Sequence, residues 1–409
     1  MKLHLTPPAS TLLKEQIKIT GSKSESNRLL LLQALFPNIA IDNISNSDDA
    51  QVMQKGLAIS DGIVDIHHAG TAMRFLTGYF ASQKGKNVVL TGSKRMTERP
   101  IKVLVDALKE LGADISYEQE EGYPPIKIQG KTLSKSKVSL PANISSQYIS
   151  ALLLIAPSLE HGITLELVGK ITSVPYIKMT LSLLNQLGIE TSFEGNVVTV
   201  APMSTVNDAQ LVVESDWSSA SYFYSIAALS EVGTKITISS YKKDSLQGDS
   251  VLATLYKSFG VESVFTDHAL TLKKISDTVS EPIDFDLANA PDIAQTIAVT
   301  CFGLGVGCHL SGLHTLKIKE TDRLEALHTE LSKLGASISV TDKTLTLAPA
   351  TTYNQDVAID TYDDHRMAMA FAPLALKISL KVNDAEVVSK SYPDFWKDMA
   401  QVNINVKEL

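Results

Sequence analysis

Four times along this chain of 409 residues, a helical apolar pattern runs into a glycine and then into a short alternating segment. The copies are Leu108-Lys109-Glu110-Leu111-Gly112-Ala113-Asp114-Ile115, Leu184-Asn185-Gln186-Leu187-Gly188-Ile189-Glu190, Leu255-Tyr256-Lys257-Ser258-Phe259-Gly260-Val261-Glu262 and Leu331-Ser332-Lys333-Leu334-Gly335-Ala336-Ser337-Ile338. A glycine at that place fits the left-handed backbone position that closes a helix. Period-two segments such as Asn196-Val197-Val198-Thr199-Val200 and Lys343-Thr344-Leu345-Thr346-Leu347 follow and read as hairpin strands. The four glycines lie 76, 72 and 75 residues apart. So long a period marks repeated compact subdomains rather than a thin solenoid. Weaker copies are expected at Gln51–Ile66 and Pro393–Val406, which makes six helix-and-hairpin units. The length exceeds what one core organises, so an α/β (α+β) chain of two domains, three units each, is the expectation.

Charge and composition narrow the function. The longest apolar run, Ala151-Leu152-Leu153-Leu154-Ile155-Ala156, falls far short of the roughly 18 residues a membrane span needs. Met1-Lys2-Leu3-His4-Leu5-Thr6-Pro7-Pro8 lacks the apolar core of an export signal, so a cytoplasmic address away from membranes is expected. The net charge of −8 argues against a nucleic-acid partner, which needs a basic stripe. An anionic ligand must therefore be captured locally, against the overall field. Cys301 and Cys308 are too few for a disulfide framework or a cysteine-held zinc, and read as buried thiols. No His/Cys/Asp cluster has metal-ligand spacing.

Only six of the 37 basic residues are arginines: Arg28, Arg74, Arg95, Arg99, Arg323 and Arg366. Lysine carries the routine positive charge, and arginine remains where a planar two-pronged grip on carboxylate or phosphate is required. Arg28, Arg74 and Arg366 sit with small polar residues that lead into apolar helical patterns. Six such starts occur: Gly21-Ser22-Lys23-Ser24-Glu25-Ser26, Ala69-Gly70-Thr71, Asn143-Ile144-Ser145-Ser146-Gln147, Glu214-Ser215-Asp216-Trp217-Ser218-Ser219, Asn289-Ala290-Pro291-Asp292 and Tyr362-Asp363-Asp364-His365. Each is a helix cap in its own right, and unpaired N–H groups beside a fixed cation form an anion cradle. In Lys317-Ile318-Lys319-Glu320-Thr321-Asp322-Arg323-Leu324 a helix beginning near Thr321 would set Glu320 between Lys319 and Arg323. The cations favour its ionised form and burial opposes it, which is the setting of a proton-transfer group.

Seven segments, in order from residue 21 to 394, resemble the EPSP synthase (3-phosphoshikimate 1-carboxyvinyltransferase) family of enolpyruvyl transferases. They are Gly21-Ser22-Lys23-Ser24-Glu25-Ser26-Asn27-Arg28, Ala69-Gly70-Thr71-Ala72-Met73-Arg74, Leu90-Thr91-Gly92-Ser93-Lys94-Arg95-Met96-Thr97-Glu98-Arg99-Pro100, Ser145-Ser146-Gln147, Lys319-Glu320-Thr321-Asp322-Arg323-Leu324, Asp364-His365-Arg366-Met367-Ala368-Met369 and Lys390-Ser391-Tyr392-Pro393-Asp394. The resemblance implies a two-domain inside-out α/β barrel with three pseudo-threefold subdomains per domain and helix N-termini converging on the cleft between them. Residues 20–213 would form one domain, and 1–19 with 214–409 the other. It further implies domain closure on ligand, a monomer, and neither a metal nor an organic cofactor.

The implied reaction moves the enolpyruvyl group of phosphoenolpyruvate to the 5-hydroxyl of shikimate-3-phosphate by addition and elimination, releasing phosphate and leading toward chorismate and the aromatic amino acids. By similarity Asp292 is the base at the hydroxyl, Glu320 handles the proton on carbon, and Lys23 touches both substrates. Ser24, Arg28, Ser145, Ser146, Gln147, Ser173, Tyr176, Thr315 and Lys319 resemble the other shikimate-3-phosphate contacts. Gly70, Arg95, Gln147, Arg323, Arg366 and Lys390 resemble the phosphoenolpyruvate contacts. Arg74 and Arg99 are expected to form supporting salt bridges. Three positions depart from the family pattern: His68 and Phe75 where asparagine and proline are usual, and Thr315 in place of an asparagine. On the residues alone two other readings stay open, a transferase acting on UDP-N-acetylglucosamine and a non-catalytic anion-binding relative.

Overall fold

The computed structural model describes residues 1–142, 145–169, 171, 174–267, 269–277 and 281–409. The chain divides into two compact units, Gly21–Val213 and Met1–Thr20 with Glu214–Leu409.

In the first unit the helices Lys23–Leu35, Gly70–Ser82 and Ser146–Ile155 pack pairwise on one another. Every residue from Gly70 to Ala81 is buried, the pattern of a helix enclosed on all sides. Truncating one central side chain, such as the fully buried Leu153, to alanine should cost about 2–5 kcal/mol. Outer helices are one-sided. Lys102–Leu111 buries Leu104, Val105, Ala107, Leu108 and Leu111 and leaves its charged residues outside. Gly112 ends it at φ 109°, its N–H shared between the carbonyls of Leu108 and Lys109. The other three repeat glycines also take positive φ: Gly188 at 80°, Gly260 at 72° and Gly335 at 100°. At Gly260 the constraint is double, since an added Cβ would lie 2.0 Å from the Ser276 carbonyl oxygen.

One sheet pattern recurs. Asp61–Asp65 runs parallel to Asn87–Thr91, which pairs antiparallel with Ile126–Gln129, which pairs antiparallel with Asp114–Tyr117. Lys137–Pro141, Ile163–Val168, Val197–Val200 and Thr191–Glu194 repeat it in the first unit. The second unit does so with Lys14–Ile17, Lys235–Ser239, Ala269–Lys274 and Val261–Thr266, and with Ile283–Asp286, Cys308–Ser311, Leu345–Leu347 and Ile338–Val340. Its third sheet is assembled from both chain ends: Val357–Ile359, Leu380–Val382, Leu3–Thr6 and Asn405–Glu408. The expected copy at Pro393–Val406 is thus a helix, Phe395–Gln401, and one strand, whose hairpin partner is the first strand of the chain.

The copy expected at Gln51–Ile66 has no hairpin. The helix Asp48–Ala58 leads within two residues into Asp61–Asp65, which already belongs to the next sheet. The third sheet of the first unit is accordingly only the parallel pair Ile39–Asp42 and Ala209–Val212. Gly21 enters the unit beside this pair, where an added Cβ would lie 1.9 Å from the Asn43 carbonyl oxygen and 2.6 Å from Val213 Cγ1. Close packing, in addition to any ligand, requires glycine there.

In the second unit the central helices are Trp217–Leu229, Ala294–Leu304 and His365–Phe371, the last continued by the 3-10 turn Ala372–Leu376. They pack together around Phe223, Ile297, Phe302, Met369 and Leu374, all at most 1% exposed.

Candidate active site

The two units treat their central helix starts differently. In the second unit an aspartate stands at each: Asp216 caps Trp217–Leu229, Asp364 caps His365–Phe371, and Asp292 lies in the 3-10 turn Pro291–Ile293 that opens Ala294–Leu304. In the first unit the starts are Ser22, Ala69 and Ser145, and neither Ser22 nor Ala69 supplies a side-chain cap. A helix N-terminus favours negative charge. The second unit provides that charge from an aspartate at each start, whereas in the first no acid stands at a cap and Glu25, in the first turn of Lys23–Leu35, is the acid nearest one in sequence.

Arg28 is the main fixed cation of the first unit. It is 2% exposed. Its Nε donates to Thr180 Oγ1 (2.8 Å), Nη1 to the Ser24 carbonyl (2.6 Å) and Nη2 to Ser150 Oγ (3.0 Å). The guanidinium lies over the Phe75 and Tyr176 rings, 5.4 and 5.9 Å from their centroids. Among the described residues no carboxylate comes within salt-bridge distance of it. Burial pulls its pKa down to about 10, against the opposing pull of Tyr176 and Glu25. A desolvated charge without a counter-ion costs several kcal/mol until an anion arrives.

Around it, Lys23 Nζ lies 3.3 Å from Asp49 Oδ2. Ser145 Oγ accepts from the Gln147 N–H (3.3 Å), and Gln147 Nε2 donates to Thr71 Oγ1 (3.1 Å), which joins two helix starts. Ser24 and Ser146 sit in the first turns of their helices. Ser173, with Asn143 and Ile144, lies outside the described residues.

Arg95 is exposed and pairs with Glu98 at 3.3 Å. His68 Nδ1 and Ser93 Oγ share a 2.8 Å hydrogen bond. The salt bridges expected for Arg74 and Arg99 are not formed among the described residues. Arg74 instead donates to the carbonyls of Gly70 (3.2 Å) and Pro100 (3.1 Å) and stacks over Tyr148. Its pKa is lowered by burial and by Arg99. The Arg99 guanidinium lies against Gly70, whose added Cβ would meet Nη1 at 2.7 Å. Backbone carbonyls are the acceptors at hand where a chain turn crosses a helix start, and Arg74 ties that turn in place through the Gly70 and Pro100 carbonyls.

Arg323 organises the second unit. Asp322 caps its helix, Arg323–Lys333, by accepting from the Glu325 N–H at 3.2 Å. At 1% exposure Arg323 touches three acids. Nε donates to Asp364 Oδ2 (2.7 Å), Nη1 to Asp292 Oδ1 (2.8 Å) and Nη2 to Glu320 Oε2 (2.9 Å). Glu320 does lie between two cations, but the second is Lys390, 3.0 Å from Oε1, whereas Lys319 turns to Asp292 at 3.4 Å. The reason is positional: Lys319 ends the 3-10 turn Leu316–Ile318, and the helix starts only at Arg323. Arg366 Nη2 reaches Asp292 Oδ2 at 3.3 Å. Burial alone would raise the Asp292 carboxyl, but Lys319, Arg366 and Arg323 together hold it well below the usual carboxylate range. Thr315 Oγ1 is buried with no hydrogen-bond partner among the described residues.

Two further acids, outside the expected site residues, belong to this cluster. Asp364, fully buried, holds Arg323 at two points and accepts from the Arg366 N–H at 2.9 Å. Asp249, half-buried in the 3-10 turn Gly248–Val251, has its carboxyl pushed up to about 7 by burial and by Asp292, against Arg366 and Lys319. The aspartate in Asp364-His365-Arg366 was a readable helix-cap signal. Asp249, in Gln247-Gly248-Asp249, carried no pattern that marks it. Among the described residues no group of three or more His, Cys, Asp or Glu could hold a metal ion, and no helix is long and apolar enough to cross a membrane.

Helix-and-sheet subdomains repeated within each unit, with arginines and carboxylates gathered at helix starts, define an α/β protein of the repeated-subdomain class. A sequence model of EPSP synthase (3-phosphoshikimate 1-carboxyvinyltransferase) matches residues 41–399. The chain is 43% identical to a 3-phosphoshikimate 1-carboxyvinyltransferase of Bacteroides fragilis (strain YCH46), covering 100% of this chain and 99% of that protein. It is 35% identical to the enzyme of that name from Vibrio cholerae serotype O1 (strain M66-2), covering 98% and 99%. The chain belongs to the EPSP synthase family. A solved EPSP synthase structure from Acinetobacter baumannii has the same fold, with a TM-score of 0.83 at 20% identity over 100% of both chains.

Proposed function

We propose that this protein transfers the enolpyruvyl group of phosphoenolpyruvate to the 5-hydroxyl of shikimate-3-phosphate and releases phosphate. The observation that carries the chemistry is the pair of carboxylates, Asp292 and Glu320, held on one buried arginine. The reaction needs a proton taken from the acceptor hydroxyl and a proton carried to and from the donor's methylene carbon. The hydroxyl loses its proton as its oxygen bonds to C2 of the donor, and the donor's methylene carbon gains one. Phosphate then leaves as that carbon gives a proton back. We assign the first movement to Asp292 and the second to Glu320, with Lys23 beside both substrates.

The electrostatics support a base that is switched on by its ligands. With three cations around it, Asp292 holds a proton poorly. Substrate phosphate and carboxylate groups that pair with Lys319, Arg323 and Arg366 weaken that pull and raise its proton affinity. The Arg323 fork is filled by three acids, so the donor's carboxylate displaces one of them. Glu320 is the one to move. Its side chain is 23% exposed and has Lys390 as a second cation, whereas Asp364 is fully buried.

We assign the acceptor's anionic groups to the Gly21–Val213 unit, through Ser24, Arg28, Ser145, Ser146, Gln147, Ser173 and Tyr176, with Thr315 and Lys319 from the other unit. Donor contacts are assigned to Gly70, Arg95 and Gln147 of that unit and to Arg323, Arg366 and Lys390. Arg28 supports this division, since a buried guanidinium ringed by hydroxyls and aromatic faces has no carboxylate within salt-bridge distance among the described residues. Both substrates are free polyanions that do not cross lipid, which supports a cytoplasmic enzyme; the monomer is proposed on the family resemblance alone. The deciding assay is phosphate release from phosphoenolpyruvate. It should require shikimate-3-phosphate; release only with UDP-N-acetylglucosamine, or none with either acceptor, overturns the reading.

A further inference from the structure

The turn that delivers Asp364 and Arg366 is held in an unusual way. Tyr362 and Asp363 both sit in the left-handed region, each at φ 54°. Residues with a Cβ adopt it in succession only where their surroundings impose it. Against this turn stands Glu330, whose carboxylate is completely buried. Its Oε1 accepts from the Tyr362 hydroxyl and from Lys333 Nζ (2.8 Å), and its Oε2 from Lys333 Nζ (2.9 Å) and the Asp360 N–H (3.2 Å). Lys333 also reaches Asp360 Oδ2 at 2.8 Å, and Asn383 Nδ2 donates to Asp360 Oδ1 at 2.6 Å. The Asp364 N–H then closes the turn on the Thr361 carbonyl at 2.8 Å. Glu330 lies two turns along the helix that begins with Arg323. One helix therefore grips both ends of the segment, the Asp364 carboxylate through Arg323 and the preceding turn through Glu330.

We propose that Glu330 and Tyr362 are positioning residues, which clamp the 360–363 turn to the Arg323 helix and so fix Asp364 and Arg366 against Arg323 and Asp292. Neither touches the proposed reacting atoms. Burial and the neighbouring carboxylate push the Tyr362 phenol up, so it stays a donor throughout the working range. The lysine beside Glu330 neutralises the buried acid, which leaves the Tyr362 bond to set geometry rather than charge. The inference rests on the reading of Arg323 and Arg366 as donor contacts.

The test is Tyr362→Phe in the full chain, which removes one hydroxyl from a ring that is 38% exposed. Displacing oriented groups by a fraction of an ångström should lower kcat/KM for phosphoenolpyruvate about tenfold or more while leaving KM for shikimate-3-phosphate nearly unchanged. Glu330→Gln, which can still accept from Tyr362, should lose less than Glu330→Ala. In arginine-labelled protein, exchange of the Arg323 Nε–H with solvent should quicken about tenfold in Tyr362→Phe, a readout that needs no turnover. Unchanged donor efficiency together with unchanged Nε–H exchange overturns the proposal. So does an equal loss for both substrates that tracks melting temperature. A wild-type protein without turnover would fail the proposed function instead, and the exchange rate would still decide the clamp.

Discussion

Arg323 and Asp364 form a two-point ion pair from which water is almost excluded: Nε to Oδ2 at 2.7 Å, Nη2 to Oδ1 at 3.4 Å, with side-chain exposures of 2% and 0%. Asp364 also caps the helix that carries Arg366. One carboxylate thus sets the direction of both arginines that face Asp292.

Arg323→Lys keeps the charge and loses the fork. A single ammonium cannot meet Asp364, Asp292 and Glu320 at their present distances, so one or two buried acids are left uncompensated. The expected outcome is a loss of about 3 kcal/mol or more in urea unfolding and a fall of about a hundredfold or more in kcat/KM for phosphoenolpyruvate. Near-normal turnover would remove the fork from the mechanism.

Arg28→Met should do the opposite to stability. The native arginine is buried with no carboxylate within salt-bridge distance among the described residues, and Ser150 and Thr180 can still bond to each other at 3.0 Å. Removing the charge should leave unliganded stability unchanged or raise it by about 1–2 kcal/mol. Binding of shikimate-3-phosphate, followed by titration calorimetry, should fall by at least about a hundredfold. Lower stability with binding retained would mean that the arginine serves packing alone.

Asp249 gives a pH signature. Its folded pKa is raised to about 7, well above that of an unfolded aspartate. The unfolded chain therefore binds fewer protons between about pH 4 and 7, and this group makes stability fall as pH rises through that window. Asp249→Asn should flatten that fall and raise the melting temperature at pH 7. Substrate anions nearby push the same carboxyl further up, so binding at pH 7 should take up protons. Calorimetry in two buffers of different ionisation enthalpy reads that uptake, which should shrink in Asp249→Asn.

Gly21→Ala tests how the first unit is closed. The new methyl would strike backbone at Asn43 as well as the Val213 side chain, and backbone cannot swing aside. A destabilisation of about 1–3 kcal/mol or more is expected, measured by denaturant unfolding. An alanine variant as stable as wild type would show that the strand pair Ile39–Asp42 and Ala209–Val212 shifts freely.

Much of the architecture could be read before any coordinates, because its signals are local. A glycine after an amphipathic helix and an alternating segment after that glycine depend on neighbours a few residues away. Accordingly Gly112, Gly188, Gly260 and Gly335 all close helical segments that lead into hairpins. The weak copy at Gln51–Ile66 failed because a helix followed by one strand looks the same whether that strand turns back or joins the next sheet. Its partner Asn87–Thr91 lies across a whole helix. In the site, the family resemblance brought out Asp292, Glu320, Lys390 and the arginines. It could not say that Lys390, rather than Lys319, faces Glu320, nor that Arg74 would settle on carbonyls.

The chain by itself determined its family, its repeat and the inventory of cations and acids, since each is written in contiguous residues whose chemistry does not depend on the rest. Tertiary structure alone decided who pairs with whom. Ion pairing is a matter of distances between segments far apart in sequence, and burial sets what each pairing is worth. Arg28 lacks a carboxylate among the described residues and Arg323 has three. Two arginines alike in sequence thus become an open cation in one unit and a saturated hub in the other.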